Sequence, residues 1–224
     1  ITREEADEYA VRSHQNAAKA WQDGKFDEQL VTVDVPQRRG DPITFAKDEG
    51  YREEASMETL GKLRAIDGKH DPEAIVTVGN ASQQNDAAAA CLVVADDKLE
   101  ALGLETMLWF GGWAAAGCDP SRMGIGPVPA VERMFARRSY SWDDIDLVEL
   151  NEAFAPQVLA VLKGWGWSTD DSRRDILNVN GSGISLGHPI GATGGRVLAD
   201  MAYEMQRRDA KMGLETLCLG GGQG

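Results

Sequence analysis

The sequence has 224 residues, 42% hydrophobic and 26% charged, which is enough to bury a core in one large or two modest domains and excludes a disordered chain. A formal charge of −13, from 23 lysines and arginines against 36 aspartates and glutamates, excludes a broad nucleic-acid surface but leaves room for a local basic pocket for a phosphorylated ligand. Cys91, Cys118 and Cys218 lie far apart and match no zinc spacing, so no metal centre is expected, and three free thiols point to a reducing, cytoplasmic setting. No stretch reads as a membrane span or a signal peptide.

Thr2 and Glu5 form a capping-box pattern, and Tyr9, Ala10, Ser13, Ala17 and Ala20 follow on one face, which predicts a helix ending near Gly24. Short strand text and charged loop follow from EQLVTVDVP to FAKDEGYREE, interrupted by Pro36, Gly40 and Pro42. A second helix is predicted from Met57 to about Ile66, with Leu60 and Leu63 facing inward. IVTVGNASQQND reads as a strand entering a polar turn. AAAACLVVAD reads as a strand covered on both faces, or as the start of a buried helix. DKLEALGL is helical text, LWFGGWAAAG a glycine-broken strand, and GPVPAVERMFARR a helix entered through Pro129 that buries Val131, Met134 and Phe135. The clearest alternation comes last: strand IDLVEL, a helix within NEAFAPQVLAVLKGWG, strand ILNVNG, helix ATGGRVLADMAYEMQRR and strand TLCLGG. This is layered α/β text, in which strand ends carry the unusual residues.

Three strand ends carry candidate chemistry. Asn151 and Glu152 follow IDLVEL. Asn151 either caps the next helix while Glu152 complements its dipole, or uses its amide to fix a water or a ligand carbonyl. In NVNGSGISLGHPIGATGG the glycines 181, 183, 187 and 191 imply sharp turns and close backbone approach, and His188 is held between Gly187 and Pro189 just before a helix. GSGISLG lacks both the dinucleotide spacing and a Walker lysine. Cys218 stands before a run of glycines whose free amides could receive a developing negative charge. Together Asn151, His188 and Cys218 suggest acyl transfer or proton movement beside a carbonyl. Cys91 and Cys118, in small-residue runs, read as packing residues.

NEAF at 151–154, GHPIGATGGR at 187–196 and CLGGGQG at 218–224 resemble the three C-terminal signatures of the thiolase family, the acetyl-CoA acetyltransferases and 3-ketoacyl-CoA thiolases. GNAS at 79–82, MGIGPVPA at 123–130 and ITREEADEYAVRSHQNAA at the start are similar to family text as well. The resemblance implies a thiolase fold, layered α/β/α/β/α in the complete protein and built from two βαβαβαββ halves. Residues 1–82 would be the later part of a coenzyme A-covering loop domain, and residues 83–224 a C-terminal thiolase-fold half lacking its last strand. It implies an acyl-CoA C-acyltransferase acting through an acyl-cysteine in an N-terminal half on the same or another chain, so that these residues alone would be inactive. A non-catalytic acyl-CoA or lipid binder of the same fold is the alternative.

By the same resemblance, His188 would activate the nucleophile and help bind the thioester oxygen, and Asn151 would hold the water of that oxyanion hole. Cys218 would exchange the α-proton, and the Gly220 N–H would serve a second oxyanion hole. Ser82 would touch the pantetheine arm of coenzyme A, with Met123 and Phe154 lining the channel. Coenzyme A would be a substrate, with no tightly bound cofactor. The expected partners are acyl-CoA and further copies of the chain in a homodimer or homotetramer. Gln83 and Gln84 depart from the family's small residues after GNAS, and Trp109 and Trp113 add bulk, so the acyl preference is open.

Overall fold

Thr2 opens the first helix as its spacing predicts. Its hydroxyl accepts the Glu5 N–H at 3.1 Å, while the Glu5 carboxylate accepts the Thr2 N–H at 2.6 Å. In the computed structural model, which describes residues 1–224, helix α1 runs Arg3–Gln22 and ends where Gly24 takes φ +68°. Ala6, Tyr9, Ala10, Ser13, Ala17 and Ala20 form its buried face. The small side chains there let other backbone come close: a Cβ on Gly181 would sit 2.9 Å from that of Ala17.

The next segment forms an antiparallel hairpin, β1 Val33–Val35 and β2 Ile43–Phe45, with Asp34 opposite Thr44 and every residue exposed. Helix α2, Met57–Gly61, is shorter than predicted, although Leu60 is buried as expected. The Arg3 guanidinium takes the carbonyls of Leu60 and Leu63, both at 2.9 Å, and the chain turns instead of continuing: Ile66 N donates to Val76 O at 2.8 Å. IVTVGNAS makes only single bridges, Ala65 with Thr77 and Ala81 with Phe154.

Residues 87–95 form neither a strand nor a helix. All of them but Val94 are exposed, with Cys91 in the open, which corrects its reading as a packing residue. A short helix α3, Leu99–Leu102, follows a single turn at Asp96–Lys98, and Gly103 at φ +62° closes it. The LWFGGWAAAG stretch likewise forms no regular element before Ala116–Cys118, which pairs with Gly222–Gly224; its large rings Trp109, Phe110 and Trp113 are exposed, while Leu108 packs on Leu147, Met201 and Met205. Outside Ala116–Cys118 neither apolar run has a laddered neighbour, and burial of a strand needs one.

Helix α4, Pro127–Arg138, begins two residues before Pro129. Strand β3, Leu147–Leu150, is wholly buried, and helix α5, Ala155–Gly164, packs beside it. A five-residue 3-10 turn at Ser172–Ile176 replaces the start of the predicted ILNVNG strand, which makes only single bridges, Leu177 to Val148 and Val179 to Gly181. Beyond it Asn178, at φ +46°, stands in for strand pairing with its side chain. Its Oδ1 accepts Leu150 N and its Nδ2 donates to Leu150 O, both at 2.8 Å. Helices α6, Gly183–Leu186, and α7, Thr193–Arg208, complete the crossover to β4, Gly213–Thr216. β4 lies parallel to β3, with Leu150 opposite Thr216. It ends before Cys218, which therefore stands beyond the strand end rather than inside the predicted TLCLGG strand.

One core joins the start and the end of the chain: Ala6, Tyr9, Ala10 and Leu60 pack with Val148, Val158, Leu162, Ile184 and Leu214. An aromatic group of Phe135, Trp142, Trp165 and Trp167, with ring centroids 4.8–5.4 Å apart, closes it beneath α4 and α5. No helix is long and apolar enough to cross a membrane.

Candidate active site

The parallel pair sets two candidates at one end. Asn151 directly follows β3 and donates its main-chain N–H to Thr216 O at 3.1 Å, and Cys218 stands two residues beyond Thr216. Asn151 does not cap α5. That helix is capped by Phe154, without a side-chain bond, and has Pro156 in its first turn, where a missing N–H costs nothing. The Asn151 side chain is fully buried, yet neither its Oδ1 nor its Nδ2 has a hydrogen-bond partner. A buried amide with no protein partner at either end is costly by itself, which sets Asn151 apart from the well-bonded Glu152 beside it.

Glu152 organises the backbone around that amide. The sequence offered it as a helix-dipole residue; the structure buries it as an acceptor of four hydrogen bonds, from Tyr9 Oη at 2.9 Å, Ser13 Oγ at 2.6 Å, Asn178 Nδ2 at 3.1 Å and Ile184 N at 3.2 Å. Burial raises its carboxyl above the usual range while those bonds pull the other way. Ser13 also meets Ser185 at 2.8 Å. One carboxyl thus ties α1, the end of β3 and the start of α6 together. The only signal in the sequence was Ser13 on the buried face of α1, pointing at something polar.

Gly183 makes this join possible. A Cβ there would lie 2.7 Å from Glu152 O and 2.9 Å from Asn151 Oδ1, so the GSGIS turn presses directly on the NEAF backbone. Four residues after Gly183, Gly187 at φ +94° redirects the chain into His188. The half-buried ring of His188 has its Nδ1 2.7 Å from the hydroxyl of buried Thr193, and the residue's main-chain N–H donates to Gln83 O at 3.1 Å. Burial, helped by the charge of Arg196, lowers its pKa, so the ring is neutral at neutral pH. Thr193 engages Nδ1, and no protein group bonds Nε2.

The candidate ligand-facing residues border the same backbone. Ser82 N donates to Ala153 O at 2.9 Å, and Ala81 bridges to Phe154, which is 39% exposed. Half-buried Met123 lies in the turn at Pro120–Ile125, which α5 holds through Gln157 Nε2 to Gly124 O at 3.1 Å. That turn approaches the chain end through Cys118, whose N–H reaches Gly222 O at 2.8 Å. Gly220 begins an exposed glycine turn closed by the Leu219–Gln223 bridge. The Cys218 thiol is buried, and burial, with neighbouring Cys118 adding to it, pushes its pKa up. The structure therefore holds a protonated thiol at neutral pH rather than a thiolate stabilised by a neighbour.

The comparisons with known proteins cover the chain from end to end. The family description "Thiolase, C-terminal domain" fits residues 104–224 and "Thiolase, N-terminal domain" fits residues 1–97. The chain belongs to the thiolase family. Over all 224 residues this thiolase chain is 49% identical to an acetyl-CoA acetyltransferase of Chromobacterium violaceum and 47% identical to one of Cupriavidus necator, and it covers 55% of each. Among solved structures it superimposes on the Bacillus anthracis acetyl-CoA acetyltransferase with a TM-score of 0.92 at 42% identity, covering all of this chain and 54% of that one. The human mitochondrial 3-ketoacyl-CoA thiolase in complex with CoA gives 0.86 at 36% identity, covering all of this chain and 53% of that one. The fold is thus the thiolase fold. The chain spans about half the length of the relatives it matches.

Proposed function

We propose that the complete protein is an acyl-CoA C-acyltransferase of the thiolase class, which cleaves 3-ketoacyl-CoA with coenzyme A or joins acetyl-CoA units. It would act through an acyl-cysteine outside residues 1–224. The observation that carries the reading is the fully buried Asn151 amide with both ends unpartnered, at the same strand end as Cys218. Acyl transfer needs such a group, because the oxyanion formed at a thioester carbonyl must meet oriented donors.

In this reading Asn151 holds the water that donates to the thioester oxygen, and neutral His188 takes the proton of the nucleophilic thiol through Nε2. Cys218 exchanges the α-proton of the acetyl donor. Its raised pKa supports the protonated role first, giving a proton to the departing enolate in cleavage. Gly220 N–H serves the enolate oxygen, Ser82 the pantetheine arm, and Met123 and Phe154 the acyl channel. Residues 1–82 act as the later part of the loop domain over coenzyme A and residues 83–224 as the C-terminal half. A homodimer or homotetramer working in the cytoplasm completes the proposal.

The test uses the complete protein with Cys218→Ser. Labelled acetyl groups should still load from acetyl-CoA while condensation falls by at least roughly 10²-fold, the lower range for a lost acid/base. His188→Ala should impair loading itself. Normal condensation by the serine variant would overturn the assignment of Cys218. Coenzyme A binding without turnover by the unaltered protein would instead favour the non-catalytic binder.

A further inference from the structure

A second polar hollow lies against the flank of α1, lined by none of the residues assigned above. It encloses about 340 Å³ and is walled by Arg12, Asn16 and Lys19 of α1, Lys25 just after it, Asn180, and Arg208 at the end of α7. Arg12, Asn16 and Lys19 stand at i, i+4 and i+7, one stripe of the helix, and the small Ala20 beside them leaves the space open. In a chain of formal charge −13, a single acidic residue, Asp175, lines this hollow.

The cations are only partly neutralised. Arg12 Nη2 donates to the main-chain carbonyls of Arg174 at 2.5 Å and Leu177 at 3.2 Å rather than to a carboxylate. Glu204 sits beneath the hollow. Burial opposes its ionisation, but hydrogen bonds from Asn180, Arg208 and Arg207 win and hold its pKa at about 2. That one carboxylate is shared by Arg207, Arg208 and Lys25, the last at 3.6 Å. Lys19 pairs with Asp23 at 2.8 Å on the exposed rim. Arg12, Lys19, Lys25 and Arg208, which line the hollow, still outnumber Asp175 in its wall and Asp23 and Glu204 beside it, and the surplus is positive.

We propose that this hollow binds a small phosphate-bearing anion. Two guanidinium forks and two ammonium groups converge from three separate parts of the chain, which suits a compact dianion with several acceptor oxygens better than a single carboxylate. The concavity is wide enough for a diphosphate. The buried scaffold of Asn180, which accepts from Lys25 Nζ at 2.9 Å and donates to Glu204 at 2.9 Å, fixes the floor before any ligand arrives.

The proposal is tested by titrating the 224-residue chain with inorganic diphosphate at low ionic strength in a calorimeter, with ADP as a second arm. Saturable binding tighter than about 1 mM is expected, weakening as salt is added. Lys19→Glu reverses an exposed charge without touching the core and should weaken it at least about tenfold; Arg208→Gln, checked for an unchanged melting temperature, should act in the same direction. Lys98→Glu, on a remote exposed turn, should leave binding unchanged. Tighter binding of ADP assigns the phosphate to a nucleotide, and tighter binding of diphosphate assigns a free anion. No saturable binding of either, or binding untouched by Lys19→Glu, overturns the site.

Discussion

Two apolar regions of the chain have opposite fates. Around Glu152, residues from α1, β3, α5 and α6 bury both their apolar faces and their polar groups, down to Tyr9, Ser13, Asn178 and Ile184 N converging on one carboxyl. Between residues 87 and 113, Leu92, Val93, Trp109, Phe110 and Trp113 are 68–87% exposed. The difference is partnership rather than composition. The first region has β4 in register beside β3 and helices over it, whereas the second presents strand text with no ladder on either side. Apolar sequence fixes what wants to be covered; only a neighbouring element decides whether it is.

The largest effect should come from breaking the first region at its polar centre. Glu152→Ala removes the acceptor of four hydrogen bonds and leaves the Tyr9 hydroxyl and Ile184 N without their acceptor, while Ser13 keeps Ser185 and Asn178 keeps Leu150 O. A loss of about 3 kcal/mol is expected in urea unfolding. Glu152→Gln, which keeps the shape and one acceptor oxygen, should recover part of it. A loss below about 1 kcal/mol for the alanine variant would mean that the network does not hold these elements together.

The second effect is pH dependence from the layer under α7. Glu149 and Glu215 sit opposite each other in the β3–β4 register, and burial raises both. Arg196 on α7 lowers them while Asp200 raises them, and Glu215 comes to about 7. A carboxyl whose folded pKa exceeds its unfolded value near 4.5 favours the folded state fully below that value, and the contribution is lost as pH rises through about 7. The melting temperature should therefore fall between pH 5 and 8, and Glu215→Gln should flatten that fall. An unchanged slope in the variant would remove Glu215 from the account.

A smaller effect tests the entry into the buried region. Thr2→Ala deletes the acceptor for Glu5 N at the start of α1 and should cost about 1 kcal/mol of unfolding free energy. The loss should appear in thermal melts without altering the fold.

Legibility in the sequence followed the same division. α1, with its cap, its buried face and its end at Gly24, was readable because local chemistry determines all three. α7 was readable for its spacing. Asn151 and Cys218 do stand just beyond β3 and β4, whereas His188 follows α6 and Gly187 rather than a strand, and the roles of all three rest on the proposed function. Glu152 was misread because its four partners come from α1, the Asn178 turn and α6, and no local pattern announces a convergence of that range. ILNVNG read as a strand because its apolar alternation is genuine, yet the Asn178 amide takes over the pairing a strand would have made. AAAACLVVAD failed for the opposite reason: its text is that of a buried strand, and the partner that would bury it is not among its neighbours.

The smallest effect on stability should come from the exposed region, and it sharpens the comparison most. Trp109 and Trp113 are each 68% exposed, so Trp109→Ser and Trp113→Ser remove little packing and should change unfolding free energy by less than about 0.5 kcal/mol. The same rings lie with Phe110 in one run of chain, and apolar surface of that kind drives association. Sedimentation of the unaltered 224-residue chain should therefore show concentration-dependent self-association, and the double serine variant should shift it toward monomer. If the variant lost several kcal/mol instead, these rings would belong to the packed region and the contrast with Glu152 would fail. If stability and association both stayed unchanged, the exposed run would be an inert surface, and the need for a covering neighbour would have no measurable consequence there.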